Sequence, residues 1–207
     1  MLTAKATSEK QFELAPEGTH IARCIQIVDL GTQSVEFNGE KKEQHKARIT
    51  WELPSETRVF KEENGEQPFL VSKEFTVSLS DKANLRKVLE SWRGKAFDET
   101  ELQGFDIMNV LGVPCMLQII HKTSKTGNKY AEISSVMKLM KGTNCPSQIN
   151  ASTSLSFEDW NEEVFNGLND WLRDKIKLSP EYKALREPEN MHVKDDNGTP
   201  TDDGLPF

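Results

Sequence analysis

The residues of this chain whose chemistry is most informative are cations that alternate with apolar residues or gather in a turn. Lys46 and Arg48 stand two apart in an alternating run, so both point away from the apolar face of a predicted strand. More lysines occupy residues 122–129, and Tyr130 follows them directly. Cationic groups neutralise phosphates, and exposed rings stack on unpaired bases. The pattern therefore predicts a surface that binds single-stranded nucleic acid.

The predicted binding surface combines this strand with two loops that we expect to flank it. Arg23 in the first predicted strand and Lys73 in the third extend the cationic row if the strand register aligns them. Phe60, beside Lys61, is a further candidate for stacking. Each lysine taken alone is equally well explained as a solvated surface charge. The predicted nucleic-acid-binding residues are Arg23, Phe37, Lys41, Lys42, His45, Lys46, Arg48, Lys73, Lys122, Lys125, Lys129 and Tyr130.

Catalytic chemistry has little support in the sequence. The four histidines are scattered, and none has the spacing of a metal ligand. The chain contains no nucleophile elbow, no phosphate-binding loop and no His-Glu-x-x-His motif. We therefore expect no enzyme activity, no cofactor and no metal site, although an active site assembled from distant residues stays open.

The negative charge of the chain is confined to its C-terminal part. The formal net charge is −7, yet residues 1–150 hold 20 basic and 20 acidic residues. Residues 151–207 hold 6 basic and 13 acidic residues and so carry the whole excess. Such asymmetry is typical of an interaction tail, and it leaves the first 150 residues free to form a basic face.

Cysteine use and hydropathy bear on the compartment. Cys24, Cys115 and Cys145 show no Cys-x-x-Cys spacing, which favours free thiols in a reducing cytoplasm over disulfides or zinc. No apolar run is long enough to span a membrane, and the N-terminus lacks the apolar core of a signal peptide. We therefore expect a cytoplasmic protein without a membrane partner.

The elements that must position these residues follow from periodicity and turn signals. Strands are predicted at 19–28, 46–53, 69–79, 113–121 and 130–139, with a polar loop at 31–44 and Pro54 ending the second strand. A helix capped by Asp81 is predicted before Gly94, with Leu85 and Trp92 on its apolar face. Three strands, a helix and two strands is the order of an OB-fold, a five-stranded Greek-key barrel. We assign it to residues 1–150.

Residues 151–186 are predicted to form a helical extension. Trp160, Val164, Leu168 and Leu172 stand four apart, which makes an apolar stripe, and Ser156 with Asp159 resembles a capping box. Such a helix packs on its own domain or on a second subunit; a separate partner-binding helix is the alternative. Residues 187–207 hold six acidic residues, one lysine and several Pro and Gly, the composition of a disordered acidic tail.

The last residues of the tail have the chemistry of a ligand for another protein. An apolar tripeptide on an acidic tether gains nothing from its own core, so recognition by a partner explains it better than fraying does. The predicted partner-binding residues are Asp202, Asp203, Leu205, Pro206 and Phe207.

This ending resembles the acidic tip of bacterial and phage single-stranded DNA-binding proteins, where Asp residues precede a terminal Pro-Phe. Residues 21–53, 78–97 and 111–115 resemble phage-encoded OB-fold proteins of the same kind. The resemblance implies protection of single-stranded DNA during phage replication or recombination in an infected host. It also implies recruitment of replication or recombination proteins by the tip.

The chain departs from this family at two places. Residues 156–185 have no counterpart in the bacterial housekeeping protein, and the tail lacks a long Gly/Gln-rich linker. A tetramer is therefore not implied, while a homo-oligomer stays open. Two other functions stay open as well: a protein-binding adaptor built on an OB-fold, and an RNA-binding protein.

Overall fold

The computed structural model describes residues 13–37 and 39–187 of the chain. The tip residues 202–207 lie outside the described residues. The fold is mainly β, and its strands form one strongly curled antiparallel sheet in the order β3-β2-β1-β4-β5, which β6 joins by parallel pairing with β1. The strands are β1 (Gly18–Phe37), β2 (Glu40–Val59), β3 (Glu66–Thr76), β4 (Pro114–Thr123), β5 (Lys129–Met137) and β6 (Thr153–Leu155).

The first two strands form a longer hairpin than the sequence predicts. The expected loop at 31–44 is wrong, because β1 and β2 stay paired from Thr32↔His45 to Phe37↔Glu40. This part of the hairpin carries polar side chains on both faces, so it lacks the apolar alternation by which strands are recognised. Pro54 does not end β2 either; a register shift between Leu53 and Thr57 accommodates a residue without an N–H.

The inner face of the curled sheet packs on a helix that lies between β3 and β4 in the chain. This helix, α1 (Asn84–Arg93), buries Leu85, Leu89 and Trp92, and Trp92 lies 5.6 Å from Trp51 between ring centroids. Gly94 ends it in the left-handed conformation, as predicted. The predicted cap is wrong, because Ala83 occupies the N-cap position and Asp81 pairs with Arg86 instead. A shorter helix, α2 (Glu99–Gln103), follows.

The C-terminal extension is broken into three short helices rather than one. Ser156 accepts a hydrogen bond from the Asp159 backbone at 3.0 Å, but helix formation starts later, with Asn161 as the first N-cap. Pro180 begins the last helix, because proline suits a first helical position. The helices are α3 (Glu162–Gly167), α4 (Asp170–Lys177) and α5 (Pro180–Arg186).

These helices pack on the outer face of the sheet and form a second apolar cluster there. Two residues of β1, Val28 and Leu30, are fully buried by the helices, and β6 occupies the edge of β1 beyond the point where β4 ends. We call residues 146–187 the C-terminal cover. The buried residues of this second cluster are Val28, Leu30, Leu155, Phe165, Leu168, Leu172 and Ile176.

A glycine allows the cover to approach β1 closely. Gly31 has a φ of 67°, and a Cβ atom at this position would lie 2.6 Å from the Cβ of Ser179. Thr32, the next residue, donates its backbone N–H and its hydroxyl to Glu181 at 2.8 and 2.6 Å. A side chain at residue 31 would therefore push α5 away from the strand.

A buried carboxylate fixes the start of the cover. Glu52 of β2 is fully buried and accepts three hydrogen bonds: from the backbone N–H of Ile149 at 2.7 Å, and from the backbone and side-chain amides of Asn150 at 2.8 and 2.7 Å. Burying a charged group is costly unless hydrogen bonds compensate it. The carboxylate therefore holds residues 149 and 150 against the outer face of β2.

We predict that Glu52→Ala lowers the free energy of unfolding by about 3 kcal/mol, because it leaves three partly buried N–H donors of Ile149 and Asn150 without their acceptor. Urea denaturation measures the change. The matched control is Glu43→Ala, which removes an exposed carboxylate from the same strand and should change stability by less than about 0.5 kcal/mol. Equal stability of the two variants would contradict the role given to Glu52.

Candidate nucleic-acid interface

The cationic row predicted on β2 lies on the outer face of the sheet but is engaged by other parts of the chain. Lys46 donates to the Thr76 hydroxyl at 2.9 Å. The Arg48 guanidinium lies 4.8 Å from the centre of the Trp171 ring and 3.9 Å from a carboxylate oxygen of Glu74. Burial lowers the pKa of Arg48, and the negative charge of Glu74 offsets part of this shift. The C-terminal cover therefore takes up much of the surface expected to meet phosphates.

The same carboxylate ties the cover to the third strand. Lys175 of α4 donates to both oxygens of Glu74, at 2.8 and 2.6 Å. Burial lowers the pKa of Lys46, and the positive charge of Lys175 lowers it further while Glu74 raises it. Glu74 thus forms ion pairs with Lys175 and Arg48, and it does not form a salt bridge with Lys46.

Two further predicted residues make contacts that hold the fold together. Arg23 donates to the carbonyls of Gly112 and Pro146 at 2.8 and 3.3 Å, and His45 lies 2.7 Å from Asp29 and 3.6 Å from Glu181.

The expected place of Lys73 in the outer row is wrong. It pairs with Ile49, so it lies on the core side of the sheet, and its ammonium donates to the Ile133 carbonyl of β5 at 2.7 Å. The alternation of residues in a strand predicts the face on which a lysine lies. It does not predict which neighbouring strand the long side chain contacts.

The two loops expected to grip nucleic acid differ in structure. Lys41 and Lys42 lie in β2 near the end of the hairpin and are exposed, and Lys42 lies 3.5 Å from Glu40. The side chain of Phe37 lies outside the described residues.

The turn between β4 and β5 keeps more of its predicted character. Lys122 pairs with Glu132 at 2.7 Å, and this hydrogen bond raises the pKa of Lys122. Lys125 and Lys129 are exposed. A hydrogen bond from the Ser124 N–H to the Asn128 carbonyl, 2.9 Å long, closes the turn. The turn therefore presents two lysines beside Tyr130.

Tyr130 lies in a cleft of about 550 Å³ between β3 and β5. Tyr130 is 42% exposed, and two other residues that line the cleft, Phe60 and Leu70, are 46% and 51% exposed. Phe69 forms the floor and holds Phe60 edge to face, with ring centroids 5.0 Å apart. We call this site the aromatic cleft; its principal lining residues are Phe60, Lys61, Gln67, Phe69, Leu70 and Tyr130.

The aromatic cleft joins two rings that the sequence marked as candidates, but its location comes from the fold. Phe60 and Tyr130 are 70 residues apart in the chain and meet because β3 and β5 are the two free ends of the sheet order. Leu70 was missed. The exposure of Leu70 could have been predicted from the run Phe69-Leu70-Val71. Successive side chains of a strand point to opposite faces, so three apolar residues in a row place at least one of them on the outer face.

Three further observations on the described residues concern metal binding, thiol reactivity and membrane crossing. Among residues 13–37 and 39–187, no group of His, Cys, Asp and Glu side chains is arranged to hold a metal ion. Burial raises the pKa of the Cys24 thiol to about 12, which keeps it protonated and unreactive. None of the described helices is both long and apolar enough to cross a membrane.

No protein-family model matches the chain, and no curated protein matches it significantly.

We predict that Phe60→Ala and Tyr130→Ala each lower the free energy of unfolding by at most about 1 kcal/mol, because both side chains are nearly half exposed. Phe69→Ala should cost about 3 kcal/mol, since that ring is buried. Urea denaturation of the three variants tests this. A loss at Phe60 or Tyr130 as large as that at Phe69 would show that the ring supports the fold instead of being available to a ligand.

Proposed function

We propose that the protein is a non-catalytic, sequence-tolerant single-stranded DNA-binding protein with an OB-fold, and that it binds DNA in the aromatic cleft. The observation that carries the proposal is the meeting of Phe60 and Tyr130 in one cleft with Lys61, beside the lysines of the β4–β5 turn. Exposed rings and nearby cations are the two features that unpaired nucleotides need.

The sheet order supports the OB-fold. β1 pairs with β2 along most of its length and with β4 through residues 18–23, so one curled strand serves both sides of a barrel. Helix α1 comes between β3 and β4, as it does in that fold. The Lys73–Ile133 hydrogen bond links β3 to β5, the two strands whose approach would close the barrel.

The lining of the cleft favours binding without base-specific readout. Every base has a flat face that stacks on an aromatic ring, so Phe60 and Tyr130 accept any sequence. Lys61 is paired only loosely, with its ammonium 3.8 Å from Glu63 in an exposed position. Such surface pairs are weak, so a phosphate can replace the carboxylate. Lys125 and Lys129 extend the positive charge beyond Tyr130.

We further propose that this binding protects single-stranded DNA during phage replication or recombination in a bacterial host. The proposal follows from the resemblance of residues 21–53, 78–97 and 111–115 to phage-encoded proteins of that kind. In the same proposal the tip, residues 202–207, recruits replication or recombination proteins while the cleft holds DNA.

We predict that Tyr130→Ala and Phe60→Ala each weaken binding to a labelled deoxythymidine dodecamer by about 1–3 kcal/mol, since each removes one stacked ring. Fluorescence anisotropy measures the affinity. Trp171→Ala is the matched control, because this ring is also about half exposed but lies on the C-terminal cover, so the affinity should not change. Tyr130→Phe keeps the ring and should bind like the unaltered protein.

Salt dependence provides a second test of the same binding mode. The logarithm of the binding constant should fall with the logarithm of salt concentration by roughly 0.7 for each phosphate contacted. Neutralising Lys125 and Lys129 together should make this slope shallower. Duplex DNA and RNA of matched length, measured beside the dodecamer, identify the preferred nucleic acid. Binding that is absent, or insensitive to both ring variants, would refute the proposal.

A second candidate function, a peptide-binding adaptor, is favoured by the apolar rim of the cleft. Val59, Phe60 and Leu70 are exposed beside β3, whose outer edge pairs with no other strand among the described residues. An extended peptide can add to such an edge as a further strand. An adaptor would lose partner binding on Leu70→Lys and would show no affinity for the dodecamer.

We predict that Phe207→Ala abolishes capture of replication proteins by the immobilised protein, because it removes the apolar end of the tip. Captured proteins from a bacterial lysate are identified by mass spectrometry. His192→Ala, a change in the same tail before the tip, is the control and should leave capture intact. Equal capture by both variants would show that the tip does not recruit these proteins.

A further inference from the structure

A second cavity, about 360 Å³ in volume, lies beside the C-terminal half of β3 and the start of α1. Three lysines from different segments line it: Lys46 from β2, Lys73 from β3 and Lys82 from the loop before α1. Three hydroxyl-bearing residues lie beside them. We call this site the basic pocket; its principal lining residues are Lys46, Lys73, Lys82, Thr76, Ser78 and Ser80.

The charges around the basic pocket do not cancel. Glu74 is the one carboxylate among the described residues that line it. Both oxygens of Glu74 already accept hydrogen bonds from Lys175, and Arg48 lies 3.9 Å away. This one carboxylate is therefore shared with two cations outside the pocket, so positive charge exceeds negative charge in the described lining.

The lysines keep hydrogen-bond donors for a ligand. Lys46 donates one bond to Thr76, and Lys73 donates one to the Ile133 carbonyl. An ammonium group has three N–H donors, so each of the two retains donors beyond these bonds. Lys82 is exposed. Burial lowers the pKa of Lys46, Glu74 raises it and Lys175 lowers it, and the net shift is downward, so an anion entering the pocket would stabilise the charged ammonium.

One strand connects the basic pocket to the aromatic cleft. Residues 67–72, in the first part of β3, line the cleft, and residues 73–76, in the last part, line the pocket. A strand rises about 3.3 Å per residue, so Leu70 and Thr76 lie about 20 Å apart along β3. A single extended strand of DNA that stacks its bases in the cleft can therefore reach the pocket.

We propose that the basic pocket binds a phosphate of the same DNA strand whose bases occupy the aromatic cleft, so that the DNA runs along β3. The inference rests on the proposed function and adds to it the path of the bound DNA strand along β3. Lys46 and Lys82 donate to the phosphate oxygens, and Ser78 or Ser80 completes the site; Lys73 contributes its positive charge to the lining while its ammonium bonds the Ile133 carbonyl. The outer cationic row thus takes part through Lys46 alone, while Arg48 stays with Trp171.

The test compares two double variants of equal charge on deoxythymidine oligomers of two lengths. Lys46→Gln with Lys82→Gln removes two ammonium groups from the pocket and spares Lys73, which links two strands. Lys87→Gln with Lys141→Gln removes two exposed lysines that do not line the pocket. We expect the pocket variant to bind a dodecamer about tenfold more weakly, because charge-assisted hydrogen bonds are lost. Its salt slope should be shallower by about 0.7, one phosphate contact.

The second oligomer, a deoxythymidine trimer, separates the two proposals, because we expect it to stack its bases in the cleft and to end before Thr76, about 20 Å along β3 from Leu70. Both double variants should bind it equally. Weakened binding of the dodecamer by Tyr130→Ala, but not by the pocket variant, would overturn the path along β3 and leave the proposed function standing. No binding of the dodecamer by the unaltered protein would overturn both.

A further measurement distinguishes DNA from a free anion. Inorganic phosphate is titrated while thermal unfolding is followed. Stabilisation by phosphate that the pocket variant loses, together with unchanged affinity for the dodecamer, would mean that the pocket serves a free anion, and the proposal would be wrong. Competition of phosphate with the dodecamer, but not with the trimer, is the result we expect.

Discussion

The structure depends on one constraint: the outer face of β1 and β2 cannot be left in water. Val28 and Leu30 turn apolar side chains outward, and Glu52 holds a carboxylate that is fully buried. The C-terminal cover satisfies both, since its helices bury the apolar pair and residues 149 and 150 donate three hydrogen bonds to the carboxylate. The sheet therefore has a core on each side, α1 on the inner face and the cover on the outer face.

This coverage decides where a ligand can bind. With Arg48 placed against Trp171, and with Glu74 bonded to Lys175, much of the outer face of β2 and β3 is occupied by the chain itself. The free ends of the sheet order, β3 and β5, are left to form the aromatic cleft. The rings of Phe60 and Tyr130 contribute little to the stability of the fold, because Phe69 occupies the buried position beneath them.

Residues 1–150 have no net charge, but their cations fall into two structural groups. Some, such as Arg23 and Lys73, are held by backbone carbonyls and stabilise the fold. Others, such as Lys125 and Lys129, face solvent in a closed turn. A domain with no net charge can bind DNA if its acidic residues pair with the structural cations and leave the remaining cations clustered.

The sequence by itself determined the features that depend on neighbours in the chain. Period two identified the inner faces of the strands, the spacing from Leu85 to Trp92 with Gly94 identified α1, and the basic turn placed exposed lysines before Tyr130. The tertiary structure alone decided which charges are free, since the partners lie about a hundred residues away: Glu74 with Lys175, and Glu52 with Asn150. Residues 25–28 place apolar side chains on both faces of β1, which is typical of a strand buried on both sides. The sequence does not show which segment buries the second face. Local pattern fixes which way a side chain points, whereas its partner is set by chain packing that no short window of sequence contains.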